Sequence, residues 1–229
     1  MPCGEAFAGV AALTSSAAGY RPSHLPMSLF VDIGTGAGLA SATGVRPVLP
    51  PLLAGALARG DVGIDFDGTD FSFLESTGFL GALVAMGVVV FLVERSAANR
   101  RSPDLGGRVG RGPVEILAAV VALALGALLF AGALADNGHP AWVGLLFGPL
   151  CAALGWLAIG GLVERVRARL APDQDALLTA YADLAALALA AIAVFVPPLA
   201  LLAIPAFVVL LAGGRRREGE KYAGLRILR

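Results

Sequence analysis

The chain has 229 residues, 57% hydrophobic and 15% charged; its mean hydropathy is +0.79 and its formal net charge is zero. A soluble domain carries about 25% charged residues. The composition therefore excludes an ordinary soluble enzyme and points to an all-α membrane protein, with membrane lipids rather than nucleic acid as partners. Two distant cysteines, Cys3 and Cys151, and two distant histidines, His24 and His139, give no disulfide framework, no CxxC pair and no metal-ligand spacing, so neither cofactor nor metal is expected.

Residues 1–26 hold a weak apolar run, no Lys or Arg before Arg21, and Glu5. A signal peptide has a positive n-region and a stronger apolar core. The segment reads instead as a disordered extension, or as a stretch ahead of a true start at Met27. Apolar runs of membrane length follow at 29–45, 76–96, 113–135, 141–164, 176–196 and 197–213; a spanning helix needs roughly 17–25 residues. They predict one transmembrane domain over 27–213 with about six spanning helices, then a basic tail over 214–229.

Between the first two runs stands GVRPVLPPLLAG, residues 44–55. Pro47 removes a backbone donor and disfavours helix at Arg46. Non-helical backbone at membrane depth is tolerated only against protein or a watery cavity. Two arrangements satisfy this pattern. In one, residues 47–58 form a half-length re-entrant or interfacial helix in the outer leaflet, with Arg46 near the outer headgroups. In the other, 29–58 is one kinked spanning helix with Arg46 near mid-membrane. Either way, Arg46 is a permanent charge in an apolar setting, where it costs about 2.5–3.5 kcal/mol or more without a partner. Its planar fork matches phosphate, and the glycines at 34, 36, 38 and 44 allow a helix or ligand to approach closely. Arg46, Gly44, Pro47 and Gly38 thus form a candidate anion site; the plain alternative is an arginine that snorkels to the headgroups.

The loop over 60–75 is acidic (Asp61, Asp65, Asp67, Asp70, Glu75). Its alternation around Asp67-Gly68 predicts a small β-hairpin with its phenylalanines at the membrane interface. The order of acids and glycine does not match an EF-hand loop. Arginines cluster at 95, 100, 101, 108 and 111, again at 165, 167 and 169, and in the tail, whereas no Lys or Arg lies between 60 and 94 or between 136 and 161. The positive-inside rule then puts both termini in the cytoplasm, with Asp32 near the inner end of the first helix.

Spacings recur along the chain. Gly38–Gly44 is matched by Gly132–Gly138, Arg46-Pro47 by His139-Pro140, and Leu92-Val93-Glu94-Arg95 by Leu162-Val163-Glu164-Arg165. They predict two parallel repeats, 29–130 and 131–213, with both X-Pro breaks on the outer side and a site at the repeat interface. Val114-Glu115 pairs with Ala182-Asp183 in this register. Asp183 and Glu115 lie within apolar helices, where acids tend to be functional, and are candidates for charge balance or proton coupling. Glu94 and Glu164 sit at helix ends beside Arg95 and Arg165 and read as interfacial pairs, and His139 as a turn residue. The stripe Gly144, Gly148, Ala152 predicts close helix packing, within the chain or between copies in a homo-oligomer.

Gly38-Leu39-Ala40, Gly44-Val45-Arg46-Pro47, Leu49-Pro50 and Leu53 to Gly55 resemble the opening signature of a bacterial membrane family catalogued as a domain of unknown function, four-one-two-six. Glu94 matches a glutamate ending that family's next helix, but Ala98 and Asn99 stand where members often have an Asp-Lys pair. The resemblance implies a polytopic protein of the bacterial plasma membrane and brings no activity. The Arg-Pro-broken segment is also similar in design to the membrane-dipping hairpins of undecaprenyl-phosphate flippases. The expected function is a non-enzymatic transporter or flippase for an anionic amphiphile, with Arg46 on the headgroup; the rival is a membrane scaffold or complex subunit.

Overall fold

The computed structural model describes residues 26–99, 113–167 and 175–223. Helix α1 spans Pro26–Val45 and α2 spans Leu49–Ala58. A 3-10 turn at Ser72–Glu75 leads to α3, Thr77–Asn99; then come α4, Pro113–Asp136, and α5, Ala141–Arg167. Helix α6 covers Asp175–Phe195, a single turn α7 covers Pro197–Ala200, and α8 covers Ala203–Ala223. No strand occurs among the described residues. Three helices are long and apolar enough to cross a bilayer: Ile116–Asp136, Ala141–Val163 and Leu177–Phe195. The described apolar parts of α1, α3 and α8 are shorter, so three spans, not six, reach that length among the described residues.

The most extensive pairing is α4 with α5, and side-chain size explains it. A Cβ on Gly144 would collide with Ala131, and one on Gly148 with Ala127, while Ala152 packs on Gly126. The predicted small-residue stripe is therefore consumed inside the bundle. Helix α1 lies against this pair and against α6 and α7. Its small residues let it become the central helix: Leu39, Ala40, Ala42 and Thr43 are wholly buried. Its buried hydroxyls are satisfied within the helix. Ser41 donates to the Ala37 carbonyl at 2.7 Å and Thr43 to Leu39 at 2.8 Å, so no polar partner is needed from a neighbour.

The contacts of α1 fix its level. Near its start, Asp32 meets Asn137 and His139 in the α4–α5 turn, and Gly34 backs onto the Pro197 carbonyl. Near its end, Ser41 abuts Gly155 and Gly44 abuts Ala152, both in the middle of α5. Val48, just beyond, packs on Leu125 at the middle of α4 and on Leu83 in the first third of α3. From Asp32 to Val45, α1 thus descends about 20 Å at 1.5 Å per residue, from the turn end of the bundle to mid-height. There the chain reverses. Pro50 and Pro51 occupy the first turn of α2, where missing N–H groups cost nothing, and α2 climbs about 15 Å back. It delivers the following loop to the turn end, with Phe66 against Gly132 and Gly63 against Val194. Helices α1 and α2 form a hairpin whose tip lies within the bundle.

This geometry corrects four expectations. The first apolar run stops at mid-height instead of spanning. Asp32 lies at the same end as the 136–140 turn, not at the opposite one. Arg46-Pro47 sits deep, while His139-Pro140 sits at an end, so the two breaks are not equivalent positions of a repeat. Helix α1 begins at the turn end; α8 starts beside the Ala37–Ala40 level, where Ile204 packs, and runs on past Phe207 toward the opposite end, which places the two helix termini at opposite ends. The expectations for residues 1–25, for the arginines at 100–112, for Arg169 and for residues 224–229 lie outside the described residues; residues 214–223 continue α8.

The acidic loop is not a β-hairpin. Phe66 is fully buried in the main core with Leu74, Leu129 and Ala133, and burying such a ring is worth roughly 1.5–3 kcal/mol. The loop closes through a side chain: the Phe66 N–H donates to Glu75 Oε1 at 2.5 Å. Arg59 fastens the other edge, donating to Thr77 Oγ1 at 2.7 Å and to the Glu75 carbonyl at 3.3 Å. Asp65, Asp67 and Glu75 bring carboxylate oxygens within 4.8 Å of one another, but Glu75 is spent on the backbone and Asp65 accepts from the Asp67 N–H at 2.8 Å.

Candidate functional site: an ion pair at the hairpin tip

The tip is built by Pro47. Arg46 still donates its N–H to the Ala42 carbonyl at 3.1 Å, closing the last turn of α1. Pro47 has no N–H to extend the ladder, and the side chain of Arg46 projects toward α6. Gly44 makes the approach possible: a Cβ there would run into the Ala152 carbonyl.

On α6, Thr179 and Asp183 are four residues apart and share a face. Arg46 Nε stands 2.5 Å from Asp183 Oδ1, and Nη2 reaches the Thr179 carbonyl at 3.5 Å. The Arg46 side chain is 19% exposed and that of Asp183 37%, so the pair is partly shielded and partly reachable. The charge that a lone arginine would bury is matched.

Beside the tip, along α6, lies a cleft of about 370 Å³ that runs from Leu178 past the level of Asp183 to Leu189 and Ala203. Val45 and Ala182, chain neighbours of the ion pair, form part of its wall, with Leu178 and Tyr181 of α6, Leu162 of α5 and Phe207 of α8 among the rest. The lining is almost wholly apolar. Helices α5 and α6 touch little, which leaves the gap that the cleft occupies.

The structure therefore brings together Arg46, Gly44, Pro47 and Asp183. It separates Gly38, which is pressed against Ala193 and Ala200 and acts in packing. Glu115 falls in the first turn of α4, ten residues before Leu125, which packs beside Val48; its side chain, like those of Glu94 and Glu164, lies outside the described residues. Sequence reasoning missed Thr179, although its place one turn before Asp183 was available as a signal. It also missed the contact of Asp32 with His139.

The chain matches no protein-family model, no curated protein and no solved structure. Fold and site together define a protein of membrane character, all-helical among the described residues, with a helical hairpin that carries a charged pair at its tip.

Proposed function

We propose that the protein is a small transporter of the flippase kind, moving an anionic amphiphile such as a polyprenyl phosphate or phospholipid across a bacterial plasma membrane. The observation that supports this reading is the Arg46–Asp183 pair at the hairpin tip, within the bundle and beside an apolar cleft. A guanidinium binds phosphate oxygens through two parallel hydrogen bonds. An incoming headgroup competes with Asp183 for that fork, and the freed carboxylate balances its charge by taking up a proton. The apolar cleft accommodates the chain. With the arginine-rich ends in the cytoplasm, the hairpin enters from the outer face and brings its charged tip beside the apolar cleft, so headgroup and chain sites adjoin.

The test is lipid analysis of purified protein, wild type against Arg46→Ala, followed by flipping of the enriched lipid in proteoliposomes. One anionic lipid is expected to co-purify with the wild type and to be lost from the variant, with flipping reduced at least ~10-fold. Arg46→Lys keeps charge without the fork and is expected to fall between. Identical lipid profiles and equal flipping in Arg46→Ala would falsify the proposal.

A further inference from the structure

The second charged contact of the hairpin lies at its base, and the tip site does not use it. Asp32 is only 4% exposed. Its Oδ1 accepts from Asn137 Nδ2 at 2.8 Å. Its Oδ2 faces His139 Nε2 at 3.5 Å. Both of these atoms are buried, and neither has a hydrogen-bond partner among the described residues. Two orphaned polar atoms that face each other are costly where they stand. A proton between them removes the cost, because an imidazolium attracts the carboxylate and donates to it.

The turn that presents His139 is rigid. The His139 N–H donates to the Leu134 carbonyl and the Gly138 N–H to the Ala135 carbonyl, both at 2.9 Å, and Gly138 has φ +74°. This is a Schellman end to α4, and Pro140 follows it. The ring is thus held over α1, with its side chain 26% exposed and open to solvent protons. Among the described residues, the charged and titratable groups around Asp32 are His139 and Asp136 from this turn. Helix α7 contributes the backbone of Pro197 near Gly34, and the neighbours of Asp32 on its own helix, Val31 and Ile33, are apolar.

We infer that Asp32, His139 and Asn137 form a proton-binding site that clamps the base of the hairpin to the α4–α5 turn when loaded and loosens it when empty. The ligand is the proton itself. Histidine is the side chain that changes charge between pH 5 and 8, so the clamp reports the pH at the turn end. It stands whether or not Arg46 binds a lipid headgroup.

Amide hydrogen exchange on the full chain in lipid nanodiscs tests this directly. Protection factors for amides 33–40, corrected for intrinsic exchange, are expected to be ~10-fold higher at pH 5.5 than at pH 8.5. His139→Gln and Asp32→Asn are each expected to flatten that profile to within about twofold, while amides in the centre of α5 keep theirs. His139 sits in a partly exposed turn, so its variant tests the idea even if Asp32→Asn fails to fold. A flat wild-type profile, or a slope retained in His139→Gln, overturns the proposal.

Discussion

Arg46-Pro47 and His139-Pro140 are the same device in sequence, a basic residue before a proline that ends a helix. The fold uses them oppositely. At Arg46 the chain reverses inside the bundle, at mid-height, and the cation is met by Asp183. At His139 the chain reverses at the bundle's end, in a left-handed glycine turn, and the ring leans back on Asp32. A proline only stops a helix; the glycine before it decides where the reversal goes. Gly44 is helical and pressed onto the Ala152 carbonyl, whereas Gly138 has positive φ and no atom near its missing Cβ. One glycine makes room and the other makes a turn.

The sharpest way to break this comparison is to give Gly44 a side chain. Even Gly44→Ala drives a Cβ into backbone that cannot yield, and overpacking of this kind costs typically about 1–3 kcal/mol, occasionally more. Gly44→Val is expected to prevent assembly of the hairpin, seen as lost monodisperse protein on size-exclusion chromatography. A well-folded Gly44→Val would mean the tip sits higher than the contacts place it. Next in size is Asp183→Ala, which leaves the guanidinium unmatched. Removing one partner of a fully buried pair costs about 3–5 kcal/mol; with Asp183 37% exposed, about 1–3 kcal/mol is expected, measured by thermal unfolding. The double variant Arg46→Met/Asp183→Ala recovers part of that loss, because no charge is then stranded. Smaller still is Gly138→Ala, expected to cost about 1 kcal/mol through its left-handed backbone, with Gly138→Asn costing less because asparagine tolerates that region. If Ala and Asn prove equally harmful, crowding rather than backbone conformation is at work.

Much of the helical inventory was legible in the sequence. The apolar runs at 76–96, 113–135 and 141–164 correspond to α3, α4 and α5 within a few residues, since period and length report on helices directly. Depth was not legible. Hydropathy counts residues and does not say at what height a helix starts, so residues 29–45 had the length of a thin span although α1 descends only to mid-height. The proline break and the arginine were readable as a departure, because both violate the surrounding pattern. The partner was readable only as a candidate acid: nothing in the spacing shows that α6 presents Asp183 at the level of the tip. The loop at 60–75 misled for a related reason. Alternation around Asp67-Gly68 has the period of a strand, but Phe66 is drawn into the space over Gly132, and the Glu75 carboxylate takes the N–H that a ladder would have used.

The smallest expected effect compares two carboxylates that hold the hairpin. Asp183 is matched by a cation. Glu75, which secures the loop returning from α2, faces a backbone N–H and the acids Asp67, Asp65 and Asp61. Burial raises its pKa above the ordinary glutamate value; the Phe66 N–H opposes that rise and the neighbouring acids add to it. A raised value in the fold means that the protonated form is favoured there. Its contribution to stability is therefore complete below the unfolded value of about 4.3 and is lost as pH climbs through the folded value. Above that window the charge works against the loop. Glu75→Gln keeps an oxygen for the Phe66 N–H and drops the charge. The variant is expected to match the wild type near pH 4 and to unfold about 1–3 °C higher near pH 7.5. If the wild type instead gains on Glu75→Gln as pH rises across that range, the loop is held by the charged hydrogen bond itself, and both ends of the hairpin rely on a carboxylate anion in the same way.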